Sequence, residues 1–223
     1  MACICIPCIF SLMNSKIDCV VVGPIETNCW LYPLEEEADK TSGDKTSGEK
    51  QCCVIIDPGD EAGRIISRLL ELDWVPKYIF ISHGHFDHIM ALPGLIEASR
   101  KGVFGPCPMP KIGIHRLDAH YFGKPMPEAN ILFEEGDRAG PFKILHIPGH
   151  TQGSVGLYDE KTGYLFSGDT LFKGDWGRTD LPGGSEEQIR QSLKRLLSMD
   201  GEIIVCPGHG PTTSIKEELS LPL

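Results

Sequence analysis

The chain has 223 residues, enough for one domain with embellishments, and its 41% hydrophobic content can fill a substantial core. A formal net charge of −10 disfavours a phosphate backbone as partner, so nucleic acid is not expected. No apolar run approaches the roughly twenty residues of a membrane span, and nine scattered cysteines read as buried reduced thiols rather than a disulfide framework, which implies a cytoplasmic setting.

Residues 1–12 (MACICIPCIFSL) are apolar and rich in cysteine but lack the basic segment of a signal peptide or the arginines of a transit peptide. They are expected to form a flexible extension, with a single domain over 13–223. Strands are predicted over 16–22, 27–32 and 52–57. Between the second and third, residues 35–50 are charged, rich in Gly and Ser, and repeat Asp-Lys-Thr-Ser-Gly, so a disordered hairpin insertion is expected there. Helical spacing over 61–72 puts Ile65, Ile66, Leu69 and Leu70 on one face.

The apolar run Tyr78-Ile79-Phe80-Ile81 then leads into His83-Gly84-His85-Phe86-Asp87-His88. Imidazole nitrogen and carboxylate oxygen are the usual ligands of zinc and similar divalent ions. On an extended segment His83 and His85 can converge on one ion, and Asp87 and His88, past the bend, can reach a second. Gly84 leaves room for backbone close to the metal. A polar loop that merely collects histidines is the competing reading. It suits one histidine, not four ligand-type side chains in six residues.

Downstream, a helix is predicted over 92–100, a strand over 112–115 and a helical turn over 116–121. Strands over 142–147, 155–159 and 164–167 follow. A helix over 185–199 opens on a Ser cap with Glu186 and Glu187 in its first turn. The last strand is predicted over 202–206. Three of these apolar runs end on a small turn residue and then a ligand-type side chain: Pro148-Gly149-His150, Ser167-Gly168-Asp169 and Pro207-Gly208-His209. His146 reads as a packing residue, and His115 and His120 carry no assigned role.

These motifs resemble the metallo-β-lactamase superfamily, and more closely its glyoxalase II-like (hydroxyacylglutathione hydrolase) branch. The likeness extends to Gly23-Pro24, Thr27-Asn28-Cys29, Ile55-Ile56-Asp57-Pro58-Gly59 and Gly177-Arg178-Thr179-Asp180. It implies an α/β fold, an αββα sandwich of two mixed sheets flanked by helices. It also implies that His83, His85 and His150 hold one metal, that Asp87, His88 and His209 hold the other, and that Asp169 bridges them. Asp57 would orient a metal-binding histidine. Asp169 in place of a cysteine speaks against the largest group of true β-lactamases, and His85 in place of Glu against the flavodiiron relatives.

The implied cofactor is a pair of divalent metal ions, zinc foremost, with iron or manganese open. The implied reaction is hydrolysis of a small-molecule thioester such as S-lactoylglutathione by a hydroxide held between the ions. Asp169 and Asp87 are the candidate catalytic carboxylates. A persulfide dioxygenase using one iron on His83, His150 and Asp169 is the alternative, and a metal-dependent phosphodiesterase or nuclease a further one. The oligomeric state is left open.

Overall fold

The computed structural model describes residues 17–35, 50–122 and 126–223. The expected extension over 1–12 lies outside the described residues, as does the insertion apart from Glu35 and Lys50.

Six strands build the first sheet: β1 (Asp18–Val22), β2 (Thr27–Pro33), β3 (Gln51–Ile56), β4 (Trp74–Phe80), β5 (Lys111–His115) and β6 (Ile131–Phe133), in that spatial order. The first two pairings are antiparallel and the remaining three parallel. Its parallel crossovers carry α1 (Ala62–Leu72), the short α2 (Phe86–Ile89), α3 (Leu92–Arg100) and a 3-10 helix over Arg116–Tyr121.

The second sheet holds β7 (Arg138–Ala139), β8 (Phe142–His146), β9 (Val155–Asp159) and β10 (Tyr164–Gly168). A ribbon of β11 (Leu171–Phe172) and β12 (Asp175–Trp176) and then α4 (Glu186–Leu197) lead to β13 (Ile204–Pro207) and β14 (Thr213–Ser214). Its order is β14-β13-β10-β9-β8-β7, with only β10 and β13 parallel.

Both faces of the central strands are buried, and alternation sorts their side chains into layers. Trp30, Tyr32, Val54, Ile56 and Phe80 face Phe142, Ile144, Leu157, Tyr164 and Phe166 between the sheets. Their odd-numbered neighbours, such as Leu31, Ile55 and Ile79, pack under α1 and α3. Leu145, Leu165 and Val205 turn the other way, against Ile189, Leu193 and Leu196 of α4. The result is the expected αββα sandwich.

Several boundaries move. Asp57 falls outside its strand, in a left-handed conformation (φ 52°) that an Asp tolerates better than most residues. Glu61 precedes α1 rather than opening it. Leu70 is exposed, because the helix buries a narrower stripe than its apolar residues suggest. The predicted helical turn over 116–121 is 3-10. Helix α4 is shorter at both ends than predicted, with Ser185 Oγ accepting from the Gln188 N–H (3.3 Å) as its cap.

Candidate metal centre

Every ligand-type side chain sits just past a strand, at the same edge of the sandwich. His83, His85, Asp87 and His88 follow β4; Asp169 follows β10 and His209 follows β13. β8 ends at His146, so His150 stands out in the loop before β9. Donor atoms of His83, His85 and His150 lie within 4.8 Å of one another, and so do those of Asp87, His88 and His209. His83, His88 and Asp169 form a third such group across the other two. Asp169 faces both sides: its Oδ2 lies 3.6 Å from His150 Nε2 and 3.5 Å from His209 Nε2, and its Oδ1 lies 3.4 Å from His88 Nε2.

The rings are oriented from behind. His150 Nδ1 donates to the Arg178 carbonyl (2.8 Å) and His209 Nδ1 to the Ile25 carbonyl (3.0 Å). His83 Nδ1 lies 3.0 Å from Ser82 Oγ, and His88 Nδ1 lies 3.0 Å from Asp57 Oδ2. Holding one ring nitrogen this way fixes the tautomer and turns the other nitrogen's lone pair inward. His85 presents Nδ1 instead, 2.8 Å from His150 Nε2. His83 Nε2, His88 Nε2 and Asp169 Oδ1 are buried with no hydrogen-bond partner. Buried polar atoms are rarely left so, and a divalent ion in each trio would satisfy them. The donor set therefore fits metal.

Charge points the same way. Burial, reinforced by His88, pushes His83 well below the ordinary imidazole value, and burial followed by His150 lowers His85. At His88 burial is outweighed by Asp169 and Asp57, which raise it. At His209 burial is likewise outweighed, by hydrogen bonds to Asp169 and Asp87, and the ring is raised to about 10. Burial works to raise both carboxylates, yet His209 and His88 hold Asp87, and His88 and His209 hold Asp169, well below the usual range. Two ionised carboxylates set among these rings favour positive charge at the site.

Asp57 does more than the sequence suggests. Besides facing His88, it accepts from the Ser82 N–H (2.7 Å) and Ser82 Oγ (2.6 Å), so it reaches the base of the loop before His83 as well. Gly84 is needed for a reason the sequence does not show. A Cβ there would sit 2.1 Å from the Tyr121 ring, so the glycine makes room for an aromatic side chain. His146 is a packing residue, stacked on His115. His120 Nδ1 bonds the Leu117 carbonyl at the surface.

Two residues at the site have no assigned role in the sequence reading. Asn28 Nδ2 donates to the Pro207 (3.0 Å) and Gly210 (2.8 Å) carbonyls and so holds the turn that carries His209. The Thr27-Asn28-Cys29 motif could have pointed to it. Asp118 is buried behind the His83 and His150 loops, and nothing in its sequence context marks it.

A sandwich of two mixed sheets with clustered histidines and carboxylates at one edge defines a class of metallo-hydrolases. The metallo-beta-lactamase superfamily model matches residues 48–209, and the chain belongs to that superfamily. Its members bind divalent metals, and this chain is a metallo-hydrolase among them. It is 35% identical to the hydroxyacylglutathione hydrolase GloC of Haemophilus influenzae, over 91% of this chain and 94% of the relative. Among solved structures it resembles TTHA1623 in a di-iron-bound form (34% identity, 92% and 98% of the two chains, TM-score 0.71). It also resembles the BLEG-1 B3 metallo-beta-lactamase (30% identity, 93% and 98%, TM-score 0.73). Among the described residues no helix is long and apolar enough to cross a membrane, and the six described cysteines are all free.

Proposed function

We propose that the chain hydrolyses a small-molecule thioester of the hydroxyacylglutathione class, using two divalent ions, zinc foremost. On this reading His83, His85 and His150 hold one ion, Asp87, His88 and His209 the other, and Asp169 stands between them. The observation that carries it is the placement of Asp169, whose Oδ2 lies near His150 of one trio and His209 of the other, while its Oδ1 faces His88. Bound there, such ions supply a water that ionises near neutral pH and a Lewis acid for a carbonyl oxygen. The chain's own residues do the rest. The Asp169 carboxylate accepts a hydrogen bond from a water in the cleft and aims its lone pair. Asp87 places a carboxylate on the far side, its Oδ2 3.2 Å from His209 Nε2 and 3.3 Å from His88 Nε2. A thiolate leaves readily, its thiol having a pKa of about 8.5, so no Ser or Cys nucleophile is called for. The likeness to GloC favours glutathione as the thiol part.

The test is hydrolysis of S-lactoylglutathione and of simpler hydroxyacyl thioesters by protein reconstituted separately with zinc and with iron, with a β-lactam as comparison substrate. Thioester turnover dependent on metal is expected. No turnover of any thioester with either metal overturns the reading.

The single-iron persulfide dioxygenase needs only His83, His150 and Asp169. The intact second trio of Asp87, His88 and His209 favours the two-ion hydrolase. One iron per chain with oxygen uptake would reverse that preference.

A further inference from the structure

Asp118 lies in the 3-10 helix, 1% exposed, and is not among the residues that face the ions in the reading above. Its carboxylate accepts three hydrogen bonds. Oδ2 takes the Gly84 N–H (2.9 Å) and the Thr151 hydroxyl (2.7 Å), and Oδ1 takes the Gly153 N–H (2.8 Å). Gly84 lies between His83 and His85, and Thr151 follows His150. One buried carboxylate thus joins the two loops that carry the whole His83, His85 and His150 trio.

The second trio is held by other groups. Asp57 faces His88, the Ile25 carbonyl anchors His209, and Asn28 grips the turn around His209. Thr27 Oγ1 reaches Asp87 Oδ2 at 3.4 Å. None of the three donors to Asp118 belongs to that trio.

We infer that Asp118 is the positioning residue of one metal site only: it sets the His83, His85 and His150 trio and thereby the occupancy of that ion. Burying a carboxylate is costly unless it is fully hydrogen-bonded, and bonds to a charged acceptor are among the stronger ones. The three donors therefore hold their loops in one arrangement. Close approach reinforces this. A Cβ at Gly153 would lie 2.6 Å from the Asp118 carboxyl, so both loops press directly against the 3-10 helix. The Thr151 N–H donates to Ser154 Oγ (3.1 Å), and that hydroxyl lies 2.8 Å from Thr151 Oγ1, which commits the Thr151 proton to Asp118. Released from this clamp, His85 Nδ1 and His150 Nε2 lose the geometry that keeps them 2.8 Å apart. Asp57 differs, because through Ser82 and His88 it serves both trios.

The inference rests on the two-ion reading, and the experiment separates the two. Chelator-stripped full-length protein is titrated with zinc alone, and bound zinc is located by anomalous scattering in crystals. In Asp118→Asn the amide N–H₂ confronts backbone or hydroxyl donors, so at least one clamp bond is lost. One zinc should bind as in the wild type, among Asp87, His88 and His209, while the other binds about 10–100-fold more weakly. Thr151→Val removes a single donor and should weaken the same ion by less, which keeps the test decisive if Asp118→Asn does not fold. A general structural role would lower the melting temperature and weaken both ions alike. A wild-type chain that takes up one zinc overturns the two-ion reading and this inference with it. A wild-type chain that takes up two, with both variants weakening both ions equally or neither, overturns this inference alone.

Discussion

The rings of His115 and His146 stack face to face, 4.3 Å between centroids and 8° from parallel. His115 Nδ1 accepts from the Leu117 N–H (3.3 Å) and His146 Nε2 donates to the Gln152 carbonyl (2.8 Å). A ring nitrogen that accepts a hydrogen bond carries no proton, so the His115 bond requires a neutral ring. Burial, and then the neighbouring His146, lower the His115 pKa from its ordinary value.

That shift fixes the sign of a pH effect. The folded protein resists protonating His115, while the unfolded chain takes the proton near pH 6.5. The contribution to stability is complete above that value and is lost as pH falls from there towards the folded pKa. His115→Gln should therefore flatten the decline of the urea midpoint between about pH 7 and pH 5. An unchanged slope would show that the stacked pair does not carry acid sensitivity.

Mutations at the site should rank by how directly they touch the ions. Asp169→Ala removes the group that faces both trios, so metal content and thioester turnover should both collapse. Asp57→Ala keeps all seven donors but frees Ser82 and His88, with an expected loss of about 10–100-fold. His146→Ala, remote from the donors, should be mildest. Near wild-type turnover in Asp169→Ala at saturating metal would contradict the proposed chemistry.

Asn28→Ala tests the turn that carries His209. It strips a donor from the Gly210 carbonyl, while Pro207 O keeps the Trp30 Nε1–H (3.0 Å). Gly210 is exposed, so water can replace the lost donor and the cost is that of an ordinary hydrogen bond, about 0.5–1.5 kcal/mol. Urea denaturation should show a loss of that size, and zinc titration should show weakening at the ion assigned to His209.

Replacing residues 36–49 with a short turn should change little. Strands β2 and β3 pair up to Pro33 and Cys53, and the Leu34 N–H still bonds the Cys52 carbonyl (2.8 Å). Loop closure varies by only about 0.6 kcal/mol per doubling of length. A large fall in turnover on shortening would mean that the segment acts on substrate.

The ligand-type residues were legible because they cluster where apolar runs stop, a pattern that core packing alone has no reason to make, while their division into two trios came from the family resemblance. Both long helices and the central strands were legible from their periodicity. The two-residue strands β7, β11, β12 and β14 were not, since alternation cannot show over so short a span. β6 is scarcely longer and sits beyond a polar stretch. Asp118 was hidden for a different reason. In Arg116-Leu117-Asp118-Ala119 it looks like any acidic residue of a surface turn, and its burial comes from loops about thirty-five residues away on either side. The need for Gly84 was legible but its cause was not, because Tyr121 meets it only in the folded chain.

The clamp at Asp118 and the turn gripped by Asn28 lie at very different points along the chain. The groups that shape the first trio are all present once Arg178, whose carbonyl holds His150, has been made, whereas the second trio waits for His209, next to β13. On the ribosome, therefore, one ion site can be assembled while α4 and the last two strands are still unmade. The other closes only when synthesis is nearly over. Translation thus completes the donors of the first trio well before those of the second.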